Sequence, residues 1–188
     1  MKSKRIVKEI AEGVLLGVMI LGTLIASVKI NAATNPEDTL LKAEYIGYCE
    51  DIGSRYSICP ELLEAIIEEE SDGDADAVGS AGEIGLMQVY PKYHMERAER
   101  LGIYSLFNPR DNILTGADYL AELFEEYQDM GTVLMVYNGT ADAEELGEQG
   151  KYTDYAEQIM KRTQQLEEVH KKTASDNSLA RTDAAGHK

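Results

Sequence analysis

Apolar and polar positions recur at helical spacing along most of the chain, and strict alternation is scarce, which predicts a mainly α fold. Leu41, Tyr45, Tyr48 and Ile52 form one stripe, behind Asn35 and Pro36, which suit an N-cap and a first helical position. Over 60–70, Leu62, Leu63, Ala65, Ile66 and Ile67 form a second, opened by Pro60 at a position where a missing N–H costs nothing. Residues 111–127 carry the longest, through Ile113, Ala117, Leu120, Phe124 and Tyr127. The short, almost wholly apolar run 132–137 reads as a buried central helix that ends by delivering Tyr137 and Asn138. An acidic loop is expected over 140–150, and a last helix over 152–169 with Tyr155, Ile159 and Leu166 on its apolar side. Residues 171–188 are polar and aperiodic, which predicts a disordered tail.

The second stripe contains a misplaced charge. Glu68, Glu69 and Glu70 are consecutive, but at about 100° per residue they face different ways. Glu70 follows Ile66 by four residues and Ile67 by three, so it projects from the apolar stripe. Glu69 falls at the stripe's edge, and Glu68 stacks with Glu61 and Glu64 on the face expected to be wet. A carboxyl held against apolar surroundings is hard to ionise, and a raised pKa is what a general acid needs near neutral pH. The helix breaks at Ser71-Asp72-Gly73-Asp74, and Gly79, Gly82 and Gly85 then mark backbone that bends sharply or lies close to a ligand.

Length and charge narrow the picture. A chain of 188 residues holds one domain with end segments, and a formal net charge of −16 argues against nucleic-acid binding. Residues 1–33 have Lys2, Lys4, Arg5 and Lys8 ahead of an uncharged apolar run over 14–28, then Asn31-Ala32-Ala33. This reads as an export signal, cleaved near Ala32 or Ala33 or kept as a membrane anchor, with the acidic remainder outside the cell. In an exported chain the two cysteines, Cys49 and Cys59, are candidates for a disulfide; two buried thiols are the alternative. Asp72, Asp74, Asp76, Ser80 and Glu83 fall at positions one, three, five, nine and twelve of a calcium loop, but Ala77 stands where that loop needs glycine. The segment is therefore read as a solvated acidic loop. The three histidines lack ligand spacing, and no metal or cofactor is expected.

Glu70-Ser71, Gly82 and Gly85-Leu86-Met87-Gln88 resemble the catalytic region of soluble-type lytic transglycosylases, the SLT domain, and of goose-type lysozymes. Asn108-Pro109, Asn112-Ile113, Gly116 and Tyr119-Leu120 match a further family segment, and Tyr137-Asn138 another, in the family's order over about 44–160. The family often has Ser where this chain has Gly79 and Ala where it has Glu83. Also, Gly139 follows Asn138 directly, where one residue usually intervenes.

The resemblance implies a mainly α, lysozyme-like fold over 34–170 with at most a short β element beside the cleft. It implies glycan strands of peptidoglycan as substrate, cut at the β-1,4 bond between N-acetylmuramic acid and N-acetylglucosamine to leave a 1,6-anhydromuramic end. Glu70 would be the single acid and base, and Ser80, Met87, Gln88, Tyr137, Asn138 and Tyr155 would bind substrate; as an apolar residue alone, Met87 reads as core. Two other readings stay open: a goose-type hydrolase in which Glu83 or Asp76 activates water, and a non-catalytic peptidoglycan-binding module. Service in wall remodelling, in an envelope-spanning machine or in a phage is equally compatible with the sequence.

Overall fold

The structure is a computed structural model that describes residues 41–185, with side chains as far as 174. The 1–33 segment and the expected cap at Asn35-Pro36 lie outside the described residues. Among the described residues seven helices follow in order: α1 (Ala43–Tyr56), α2 (Pro60–Ser71), α3 (Pro91–Leu101), α4 (Pro109–Glu126), α5 (Met130–Tyr137), α6 (Ala143–Glu148) and α7 (Asp154–Ala185). Between α2 and α3 the chain makes two isolated antiparallel bridges, Val78 to Ile84 and Ile84 to Val89, which are the short β element expected.

Helix α2 is the axis of the molecule. Leu62, Leu63, Ala65, Ile66 and Ile67 are each no more than 1% exposed, so the helix is enclosed on nearly every side. Helix α1 packs on it through Tyr45, Cys49 and Ile52, and α1 in turn rests on α4. The apolar helix α5 sits among α4, α6 and α7; Asp129 caps it by accepting hydrogen bonds from the Thr132 N–H and hydroxyl.

Helix α7 runs antiparallel along α2 and buries Ala156, Ile159, Thr163 and Leu166 at alternating steps of three and four. Its polar residues meet the glutamates of α2 in register: Tyr155 with Glu70, Arg162 with Glu68, and His170 with Glu61. The face of α2 expected to be wet is therefore covered. Glu64 is 0% exposed, and the Glu68 side chain is 10% exposed and gripped by both ends of the Arg162 guanidinium, at 2.6 and 3.0 Å. Of the three consecutive glutamates, Glu69 is the exposed one.

Three other expectations are corrected. Helix α3 was not foreseen, because its buried residues are only His94 and Ala98 and no apolar stripe announces it. Its ends were nonetheless written in the sequence, with Pro91 in the first turn and Gly102 at φ 73° closing the last. The acidic loop contains the short helix α6, anchored by buried Ala143. The helical backbone of α7 also continues to Ala185 through residues expected to be a disordered tail; residues 171–174 are exposed, with Lys171 paired to Glu167 one turn back.

Of the two readings left open for the cysteines, the disulfide is not formed: both are free thiols. Cys49 points into the core from α1, whereas the Cys59 thiol donates to Glu61 at the start of α2. Burial pushes the Cys59 thiol up to about 12.

Candidate active site

Glu70 ends the buried run of α2 and remains only partly covered. Its Oε1 accepts a hydrogen bond of 2.5 Å from the Tyr155 hydroxyl, delivered by the first turn of α7. Removal of the carboxyl from water pushes its pKa up to about 7, the Tyr155 hydrogen bond pulls it back, and the charges of Glu69 and Glu83 raise it further. Desolvation wins because a single hydroxyl replaces only part of the hydration a carboxylate loses. Both nearby phenols, Tyr137 and Tyr155, are held far above their ordinary values by burial and by Glu70, so they act as neutral hydrogen-bond donors.

The 79–90 loop is stitched to the scaffold near Glu70 by side chains. Ser71, immediately after Glu70, donates through Oγ to the Leu86 carbonyl at 2.9 Å. Asn112 of α4 is buried; its Oδ1 takes the Met87 N–H and its Nδ2 donates to the Ile84 and Leu106 carbonyls, each at 2.8 Å. Gly85, at φ 74°, lies so close to this amide that a Cβ would stand 2.6 Å from Asn112 Nδ2. Gln88 holds a left-handed backbone at φ 45°, uncommon for a residue with a side chain and characteristic of constrained sites. Its Nε2 donates to Gly85 O at 2.9 Å, which fixes the amide.

Tyr137 comes from the end of α5, and its hydroxyl donates to the Met87 carbonyl at 2.9 Å. Tyr119 lies 5.6 Å from the Tyr137 ring and 4.7 Å from the His94 ring, centre to centre, with the Arg97 guanidinium 5.1 Å over the Tyr119 ring. Burial lowers His94 to about 4, so this layer carries a neutral imidazole near pH 7.

Of the residues expected in the site, Tyr155 meets Glu70 directly, Tyr137 reaches the Met87 carbonyl, and Gln88 is fixed on the 79–90 loop. Met87 is corrected: its side chain is fully buried against the bare backbone of Gly116, and only its carbonyl serves the site, through Tyr137. Asn138 is half-buried and closes α5 with its backbone N–H. Ser80 is exposed on the loop, and among the described residues no hydrogen bond ties its side chain to Glu70 or Tyr155. The calcium-loop spacing has no counterpart in space: Asp74 accepts the Asp76 N–H, Glu83 accepts the Ala81 N–H, and among the described residues no three metal-ligating groups converge. The sequence reading assigned no role to Ser71 or Asn112. The signal for Asn112 was a polar amide on the inward side of α4, where an apolar residue belongs unless a buried backbone needs hydrogen bonds.

Comparison with known proteins covers the same residues. The family profile described as Transglycosylase SLT domain matches residues 47–159, more than half of the chain. A protein named transglycosylase from Enterobacteria phage PRD1 is 31% identical over 115 residues, covering 60% of this chain and 41% of its own length. The endo-type membrane-bound lytic murein transglycosylase A of Klebsiella pneumoniae is 34% identical over 101 residues, half of each chain. Among solved structures, an inactive mutant of the lytic transglycosylase Slt from Pseudomonas aeruginosa aligns with a TM-score of 0.48 at 21% identity, over 65% of this chain and 22% of that one. The chain thus spans about half the length, or less, of these curated relatives.

Proposed function

Because the chain belongs to the transglycosylase SLT domain family, we propose that it cleaves the glycan strands of peptidoglycan as a lytic transglycosylase, with Glu70 as its acid and base. The observation that carries this reading is the position of the Glu70 carboxyl, anchored by Tyr155 at the end of an otherwise buried helix, where burial pushes its pKa up to about 7. A carboxyl with that pKa can give up a proton at neutral pH and take one back. The protonated acid donates to the oxygen leaving the muramic anomeric carbon. The substrate's own N-acetyl group supports the carbon as the bond breaks. Glu70, now a carboxylate, removes the proton of the muramic C6 hydroxyl, whose oxygen closes a 1,6-anhydro ring. One carboxylate serves both steps, so the pair used by most glycosidases is not required.

Tyr155 keeps one oxygen of Glu70 occupied and leaves the other for substrate. Gln88, Tyr137 and Asn138 stand as the groups that hold the sugars, with Ser80 at the rim. The basic residues and the apolar run over 14–28 support export, with the activity working outside the cytoplasmic membrane. Among the described residues no helix is long and apolar enough to cross a membrane.

The test is digestion of purified peptidoglycan followed by mass analysis. The expected products include muropeptides one water lighter than their hydrolysed counterparts. Failure of the folded protein to release any muropeptide would overturn the assignment.

A further inference from the structure

The hydrogen bond between Tyr155 and Glu70 depends on the first turn of α7. Thr153 leads into that helix, its carbonyl accepting from the Glu157 N–H at 3.0 Å, and the buried run of α7 starts only at Ala156. Tyr155 thus lies in a turn whose N–H groups lack intrahelical acceptors, so its place is sensitive to how the preceding chain is held. Tyr152 holds it. Its ring lies on the bare backbone of Gly131 in the first turn of α5, where a Cβ would collide with Tyr152 Cδ1 and Cε1. Its hydroxyl donates to Asp129 Oδ1 at 3.0 Å, while Asp129 Oδ2 takes the N–H and the hydroxyl of Thr132. Thr132 in turn lies against the backbone of Gly147 in α6, where a Cβ would collide with its Oγ1. Two glycines therefore let the 138–153 segment close down on the start of α5. One end of α5 seats Tyr152 and the other delivers Tyr137, so both phenols near Glu70 take their places from the same short helix.

We propose that Tyr152, seated on Gly131 and bonded to Asp129, is a positioning residue that holds the Tyr155 hydroxyl against the Glu70 carboxyl. Tyr152 touches neither Glu70 nor the sugars and acts through Tyr155. The groups that act on Glu70 are Glu69 of its own helix, Glu83 of the 79–90 loop, Tyr137 of α5 and Tyr155 of α7; Tyr152 and Asp129 are not among them. A change at Tyr152 therefore reaches the titration of Glu70 through the groups it positions. The Tyr155 hydrogen bond stabilises the carboxylate, so a loosened Tyr155 raises the pH at which the acid loses its proton. The inference rests on the reading of Glu70 as acid and base given above, and concerns what keeps its hydrogen bond in place.

The experiment measures turnover of purified peptidoglycan against pH for the full chain, with thermal melts alongside. Tyr155→Phe, which deletes the bond outright, should move the falling limb of the profile to higher pH. Tyr152→Ala should move it the same way, by at least about 0.3 pH units, a twofold change in the proton affinity of Glu70. Gly131→Ala, which pushes the ring off its seat, should reproduce that shift. Tyr152→Phe, which keeps the ring on Gly131, should restore most of the wild-type profile. In a Tyr155→Phe background Tyr152→Ala should add no further shift, because the bond it protects is already gone. An unchanged limb in Tyr152→Ala, whatever its loss of turnover, or a shift that persists in full in the Tyr155→Phe background, would overturn the proposal while leaving glycan cleavage intact. Absence of any cutting by wild type would instead defeat the parent reading, and this one with it.

Discussion

The proposed reaction requires Glu70 to hold a proton at neutral pH and to release it, and the surroundings of its carboxyl pull in both directions. Burial raises the carboxyl to about 7, and the Tyr155 hydroxyl limits the rise by stabilising the carboxylate. If the protonated form starts the reaction, turnover should fall as pH increases through about 7, because the acid is lost above its pKa. Tyr155→Phe removes the hydrogen bond that favours the carboxylate, so the falling limb should move to higher pH. Turnover of peptidoglycan against pH for both proteins checks this. A limb that stays in place or moves down would separate Tyr155 from the titration of Glu70.

At the scale of elements, α2 and α7 are one unit, and the unit carries strain. Glu64 is fully buried, among the described residues neither of its carboxylate oxygens has a hydrogen-bond partner, and His170 Nε2 stands 3.9 Å away. Desolvation raises Glu64 to about 7; Glu61, Glu68 and Glu50 add to the rise, and His170 opposes it. A carboxyl whose folded pKa lies above its unfolded value favours the native state fully below the unfolded value, and that contribution is lost as pH rises through the folded one. The window here runs from the ordinary 4.5 to about 7. Glu64→Gln should therefore melt with wild type near pH 4.5 but be more stable at pH 8, by roughly 1–3 kcal/mol. Glu68→Gln should do the reverse, losing roughly 1.5–3 kcal/mol by breaking the fork to Arg162, with peptidoglycan turnover little changed. Equal melting of Glu64→Gln and wild type at pH 8 would show that Glu64 is relieved by other means. The stripe of α2, the orientation of Glu70 and the delivery of Tyr137 by α5 were legible in the sequence, because each follows from spacing within one helix. The covering of Glu61, Glu64 and Glu68 was not, since it depends on a second helix more than eighty residues away, whose Arg162 and His170 look like surface charges in isolation. Helix α3 escaped for the opposite reason: it contributes little to the core, and only its end signals mark it.

For the molecule as a whole, the scaffold brings together groups that are remote in sequence: Glu70 and Tyr155 across 85 residues, Met87 and Tyr137 across 50. The buried hydrogen bonds of Asn112 and Ser71 hold the 79–90 loop against this scaffold, so the loop and the Glu70 helix move as parts of one core. The cysteines add nothing to that rigidity, being unbridged, and the assembly relies on packing of the apolar faces around α2. In the proposed function this scaffold presents Glu70 as a proton donor to a glycan. Glu70→Gln tests it most directly, since the amide keeps shape and removes only the titrating proton. The measurement is release of muropeptides from purified peptidoglycan by wild type and Glu70→Gln at pH 6, with thermal melts alongside. The account predicts a loss of at least about 10²-fold with folding unimpaired. Retention of more than about a tenth of wild-type turnover would contradict it.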